Sequence, residues 1–222
     1  GLGNLEQSRN VLDSIENKND IDYQGARLWL YLMERDCRGA KAFAANVPNE
    51  MKEGANFWFI LATVAHMDGD VNEERKAYLE GKRLIQLALG TRPDDPVLWG
   101  DLALAEAGLG KHEEALRYAR RACEMLPPSV DAVAGPALEM RLAEVLAVVG
   151  DRDGALDMLS KLANLPLSFI NYGDLKFNPM WDDLRTDPRF HRILAESRRR
   201  LAATGGPMSP LSVRFANGQI TP

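Results

Sequence analysis

Apolar residues along the 222-residue chain recur at intervals of three and four, in segments of roughly 12–18 residues, and not in strict alternation. Gly, Pro and Asp punctuate these segments. Within them Ala, Leu, Glu and Arg dominate, all strong helix formers, and β-branched residues never gather into a strand-like run. The pattern predicts a chain of helices with no sheet.

The helices repeat. In Pro96–Pro127, Trp99 is followed by Leu102 and Ala103, then Gly110, Ala115, Ala119, Ala122 and Pro127. Small residues at Ala103, Ala115 and Ala122 let two antiparallel helices approach closely. Gly110 suits a tight turn and Pro127 a helix stop. The segment resembles the tetratricopeptide repeat, a helix–turn–helix unit of about 34 residues with the pattern W-x2-L-G-x2-Y, A-x3-F, P. The same frame recurs upstream at Trp58, Leu61, Ala62, Ala65 and Gly69-Asp70, and at Leu28, Tyr31, Leu32 and Arg35-Asp36. Downstream it recurs at Leu142, Ala143, Leu146 and Gly150-Asp151, and Asn4, Ser8, Leu12 and Ile15 look like the second half of a further unit. The second-helix small position falls on Ser8, Ala40, Glu74, Ala115 and Ala155, spaced 32, 34, 41 and 40 residues apart. The long intervals imply extended second helices, and Glu74 is expected to splay or rotate its helix pair. A start halfway through a repeat makes Gly1 read as a cut through, or a processed edge of, a longer array.

The other end reads as a terminal cap. Phe177–Phe190 breaks the period, Asp187 is a good N-cap, and Pro188 opens a helix carrying Phe190, Ile193, Leu194 and Leu201 on one side. A cap of the form P-x-W-D-x-L-R-x-D-P-R-F after such repeats is similar to the C-terminal region of large bacterial signalling proteins. That resemblance implies a parent carrying a serine/threonine kinase, a nucleotide cyclase or a winged-helix module outside this segment. The implied organisation is helical repeats over 1–166, a cap over 167–204 and a flexible or docked tail over 205–222. The fold class expected is all-α, a right-handed tetratricopeptide-like α-solenoid of antiparallel helix pairs with a C-terminal capping helix. In the tail, Gly and Pro oppose a helix, while Leu211, Val213 and Phe215 alternate as a docked extended peptide would.

Charge and composition narrow the function. Lys and Arg number 27 against 32 Asp and Glu, so the chain is mildly acidic, unlike a typical nucleic-acid binder. There is no run of about 18 apolar residues to span a membrane. Two cysteines, Cys37 and Cys123, make no disulfide framework. Reduced thiols favour the cytoplasm, and an extracytoplasmic place stays open if the parent is membrane-anchored. His66, His112 and His191 lack metal-ligand spacing, and Gly108-Leu109-Gly110-Lys111-His112 lacks both the first glycine and the hydroxyl of a phosphate loop. No cofactor, metal site or catalytic constellation is expected, and the chain reads as a non-enzyme.

The resemblance directs attention to the groove lined by first helices. Its two recognition positions hold Gly25 and Trp29, Phe59 and Thr63, Gly100 and Leu104, and Met140 and Glu144. No lysine–asparagine clamp for a peptide carboxylate is present. Trp29, Phe59, Leu104 and Met140, with Thr63, His66 and Glu144 as polar members, predict a largely uncharged groove for an extended or helical apolar peptide. Cover by the extended second helices, by the cap or by a preceding region is the alternative. A homo-oligomer, or self-contact through the tail, is the competing assembly role. The arginines Arg117, Arg120 and Arg121 on a second helix, and Arg189, Arg192 and Arg198–Arg200 on the cap, read first as solvated faces.

Overall fold

The computed structural model of the chain describes residues 3–165 and 170–203. It is all-helical, with no strand among the described residues. In order the helices are α1 (Leu5–Asp13), α2 (Ile21–Met33), α3 (Cys37–Ala45), α4 (Asn49–Lys52), α5 (Ala55–Met67), α6 (Val71–Leu89), α7 (Pro96–Gly108), α8 (His112–Met125), α9 (Ala134–Val148), α10 (Arg152–Ala163) and α11 (Tyr172–Phe177). A 3-10 turn, Pro179–Leu184, and α12 (Pro188–Ala203) follow. The expectations for the 205–222 tail lie outside the described residues.

Aspartate starts many of these helices because its carboxylate satisfies amide donors that have no intrahelical partner. Asp20, Asp36, Asp70, Asp95 and Asp151 each accept from a backbone N–H two or three residues on. Asp187 does the same at α12, accepting from Arg189 N–H at 2.8 Å.

One turn geometry recurs four times. Arg35, Gly69, Gly110 and Gly150 carry φ of 59°, 72°, 78° and 84°, and lie 34, 41 and 40 residues apart. After each, the next amide donates back across the turn: Asp36 to Tyr31, Asp70 to Ala65, Lys111 to Glu106 and Asp151 to Leu146, all at 2.9–3.0 Å. Glycine is the natural occupant of this left-handed conformation; Arg35 is the one side chain held there.

The packing repeats in the same register. Seven residues before each turn stand Leu28, Ala62, Ala103 and Ala143, all with 0% exposure. Five residues after it stand Ala40, Ala115 and Ala155, also at 0%. Each turn joins two packed helices, α2 with α3, α5 with α6, α7 with α8 and α9 with α10. The second helix of one hairpin packs on the first helix of the next, as α1 on α2, α3 on α5, α6 on α7 and α8 on α9. The apolar interior is therefore a stack. Phe57 and Val64 of α5 belong to one cluster with Leu28, Leu32 and Ala40; Phe59 and Ala62 of the same helix belong to the next.

Glu74, the departure from the small-residue pattern, does not splay its hairpin. Its carboxylate turns aside to within 3.2 Å of His66 Nδ1, and α5 and α6 stay packed. Tyr78 lies against Gly108, where even an added methyl group would meet the ring at 2.3 Å.

The segment from α11 to α12 packs across the helix hairpins. Leu175, Trp181, Leu184 and Phe190 are at most 1% exposed and join the core of α5–α10. The 3-10 turn rests on α9 and reaches α5, while α12 packs on α10 and α11. Arg185 ties the cap together, donating to the carbonyls of Leu175 and Asn178 at 2.9 and 3.0 Å and to Asp182 at 2.7 Å.

Candidate functional site

The helices α5, α7 and α9 converge on Arg141. Its guanidinium donates to Asp101 of α7 at 2.9 Å and to Glu144, one turn along α9, at 2.5 Å. It lies 5.7 Å from the centre of the Phe59 ring and 3.5 Å from Asn56 Oδ1 on α5. Asp101 and Glu144 are nearly solvent-free, at 9% and 5% exposure. Asp174 of α11 stands near Glu144 and is held by Trp181 Nε1 and Asn178 Nδ2, both donating at 2.9 Å. Two carboxylates, Asp101 and Glu144, thus share Arg141, while the third, Asp174, lies on the Arg185 side.

Burial pushes the Asp101 carboxyl up from its ordinary value, only partly offset by Arg141. The same balance raises Glu144, with the Asp174 charge adding to the rise. Asp174 is raised by burial against the hydrogen bonds from Trp181 and Asn178. Burial opposes the charge of Arg141, but Glu144 and Asp101 outweigh it and hold the guanidinium firmly ionised. This arrangement can lock helices together: the two carboxylates are buried, and the Arg141 side chain is 21% exposed.

The residues expected in an apolar groove are dispersed. Phe59 and Leu104 are buried, at 6% and 2% exposure, and present no binding surface. Phe59 packs on Tyr78, with ring centres 6.2 Å apart. Glu144 is sealed in its pair with Arg141. The expectation of an uncharged groove is corrected at these positions: close approach of α7 and α9 fills the space, and what remains polar there is an ion cluster. Thr63 is half-buried and donates to the Phe59 carbonyl, and Met140 is half-buried. Trp29, at 41% exposure, and His66, paired with Glu74, face solvent. Phe59 and Glu144 are brought together through Arg141, and Phe59 shares the buried core with Leu104.

Asp101, Arg141 and Asp174 were not singled out from the sequence. The available signal was composition within helices: α7 reads PVLWGDLALAEAG, two carboxylates in an otherwise uncharged segment. The second, Glu106, is likewise buried and pairs with Lys82 at 2.8 Å.

Elsewhere, Cys123 is half-buried, and burial followed by the Glu139 charge pushes its thiol up to about 11. The Cys37 thiol is also raised, chiefly by burial. No cluster of three or more metal-ligating side chains occurs among the described residues, and no described helix is long and apolar enough to cross a membrane. The outer face of α8 exposes Arg117, Arg120 and Arg121, with Arg121 stacked 4.1 Å over Trp99 and Arg117 5.0 Å over Tyr118. The chain matches no known family and no curated protein in sequence.

Proposed function

We propose that the chain is a non-catalytic protein-interaction and regulatory module, a right-handed tetratricopeptide-like solenoid belonging to a larger bacterial signalling protein. The observation that supports this reading is the fourfold recurrence of one left-handed turn, with a fully buried residue seven positions before each and a fully buried alanine five positions after three of them. Such arrays present a long surface built from many helices and recognise partners by shape and apolar contact. With Phe59 and Leu104 buried, Trp29 is the accessible aromatic anchor of the predicted set. The test is site-specific photo-cross-linking at Trp29, Thr63, His66 and Met140 in cells expressing the whole parent protein. One defined partner is expected, whose purified binding segment loses about tenfold in affinity, about 1.4 kcal/mol, on Trp29→Ala. Absence of any defined adduct from all four positions overturns the reading.

Self-association is the second reading, favoured by α1. Val11 of α1 and Ile15 just beyond it are 58% and 37% exposed, and no residue of α1 is buried. Light scattering over a concentration series decides it: a dimer that dissociates on Val11→Asp supports assembly.

A further inference from the structure

We propose that the cleft between α11 and α12 is a docking site for an acidic, amphipathic segment of a partner protein. The inference rests on the interaction-module reading and adds a surface and a partner chemistry to it. One face of α12 turns its apolar residues inward, with Phe190 at 1% and Ile193 at 7% exposure. The neighbouring face, with Tyr172 of α11, lines an open basin of about 480 Å3, and Leu194 at its edge also packs on the core. Its floor is apolar, from Leu194, Ala202 and the Tyr172 ring; its rim carries His191, Arg198 and Arg199.

Charge decides the partner. No carboxylate lines the basin. Arg198 and Arg199 have no ion-pair partner among the described residues, whereas the nearest acid on the helix, Glu196, is engaged by Arg200 at 3.3 Å. The patch is thus locally cationic on a chain of net charge −5. The arginine face of α8 differs, since Glu113 and Glu124 stand among its arginines. Spacing adds shape: His191, Leu194, Arg198 and Ala202 follow one another at three and four residues, the stripe against which a second helix lays an apolar seam edged with carboxylates.

The test uses the full chain and a fluorescein-labelled helical peptide of about 16 residues, with Leu at i, i+4, i+7 and i+11 and Glu elsewhere on its exposed face. Saturable binding that weakens with salt is expected in fluorescence anisotropy, since exposed charges are screened beyond about 8–10 Å. R198E/R199E and L194D should each lower affinity by about tenfold or more, while R117E/R120E leaves it unchanged. Far-UV circular dichroism confirms that each variant keeps its helices. The proposal is overturned by absence of binding, by equal binding of a peptide with Ser in place of Leu, or by insensitivity to R198E/R199E. It is also overturned if vesicles containing phosphatidylserine bind in place of the peptide, or if the peptide binds only after residues 204–222 are deleted. None of these outcomes touches cross-linking at Trp29, so failure here leaves the broader reading separately testable.

Discussion

Arg35 and Asp182, 147 positions apart, form a bidentate ion pair at 2.6 and 2.7 Å. Arg35 occupies the left-handed turn of the first hairpin, where the three later hairpins have glycine. Its backbone conformation costs about 1–2 kcal/mol relative to glycine. The side chain partly offsets this by reaching the cap, and partial exposure of both groups, 45% and 39%, limits the pair to about 0.5–1 kcal/mol. Arg35→Ala loses the pair and keeps the strain; Arg35→Gly loses the pair and removes the strain. Chemical denaturation should therefore place the glycine variant above the alanine variant by about 1 kcal/mol. In both, amide exchange across the 3-10 turn should accelerate. Equal stability of the two variants would refute this account.

Removing Arg141 leaves Asp101 and Glu144 buried without a counter-charge. Arg141→Met should cost about 3–5 kcal/mol near neutral pH. The sign of its pH dependence follows from the raised carboxyls. A group whose folded pKa lies above its unfolded value favours folding at low pH and loses that contribution as pH rises through the folded value. The variant should therefore be relatively more stable at about pH 5 than at about pH 8, measured by urea midpoint. A flat or inverted profile would contradict the geometry of the cluster.

Asp187 behaves oppositely. Its hydrogen bonds from the Arg189 side chain and amide lower its carboxyl from 3.8 to about 2. Its contribution is complete above the unfolded value and disappears as pH falls from about 4 toward 2. Asp187→Asn should flatten that part of the acid-denaturation curve while leaving stability above pH 5 little changed in slope.

The small-residue register makes a reciprocal prediction. Ala115→Glu forces a carboxylate into a position with 0% exposure and should cost several kcal/mol, about 3 or more. Glu74→Ala, at the corresponding position of the preceding hairpin, should change stability by less than about 0.5 kcal/mol, because Glu74 already points away to His66. Thermal unfolding of the two variants side by side checks both.

At pH 8, a thiol at about 11 is ionised to roughly one part in a thousand. Cys123 should therefore alkylate with iodoacetamide at least about tenfold more slowly than a free cysteine, and reach the free rate only on unfolding. Peptide mapping by mass spectrometry distinguishes it from Cys37.

The hairpins were legible in the sequence because their rules are local. Gly69, Gly110 and Gly150 mark turns, and Ala62, Ala103 and Ala143 mark close approach, each readable from its neighbours. The four-residue α4 was not, since Asn49–Lys52 is too short to show a period. The site was less legible for a different reason. Glu144 and Phe59 were placed in an open groove, and their burial depends on how far α5, α7 and α9 converge. That convergence depends on Gly100, Arg141 and the cap together, and no window of one or two helices contains all three. The seat of Trp181 and Leu184 on distant helices has no local signature at all.

The cap that spans from α9 to α5 also orders events during synthesis. At about 5–20 residues per second, the stretch from Met67 to Leu184 takes on the order of ten seconds to translate. Throughout that interval α5 exists without the segment that covers it. The nascent chain therefore carries, for those seconds, an apolar flank that Trp181 and Leu184 later cover.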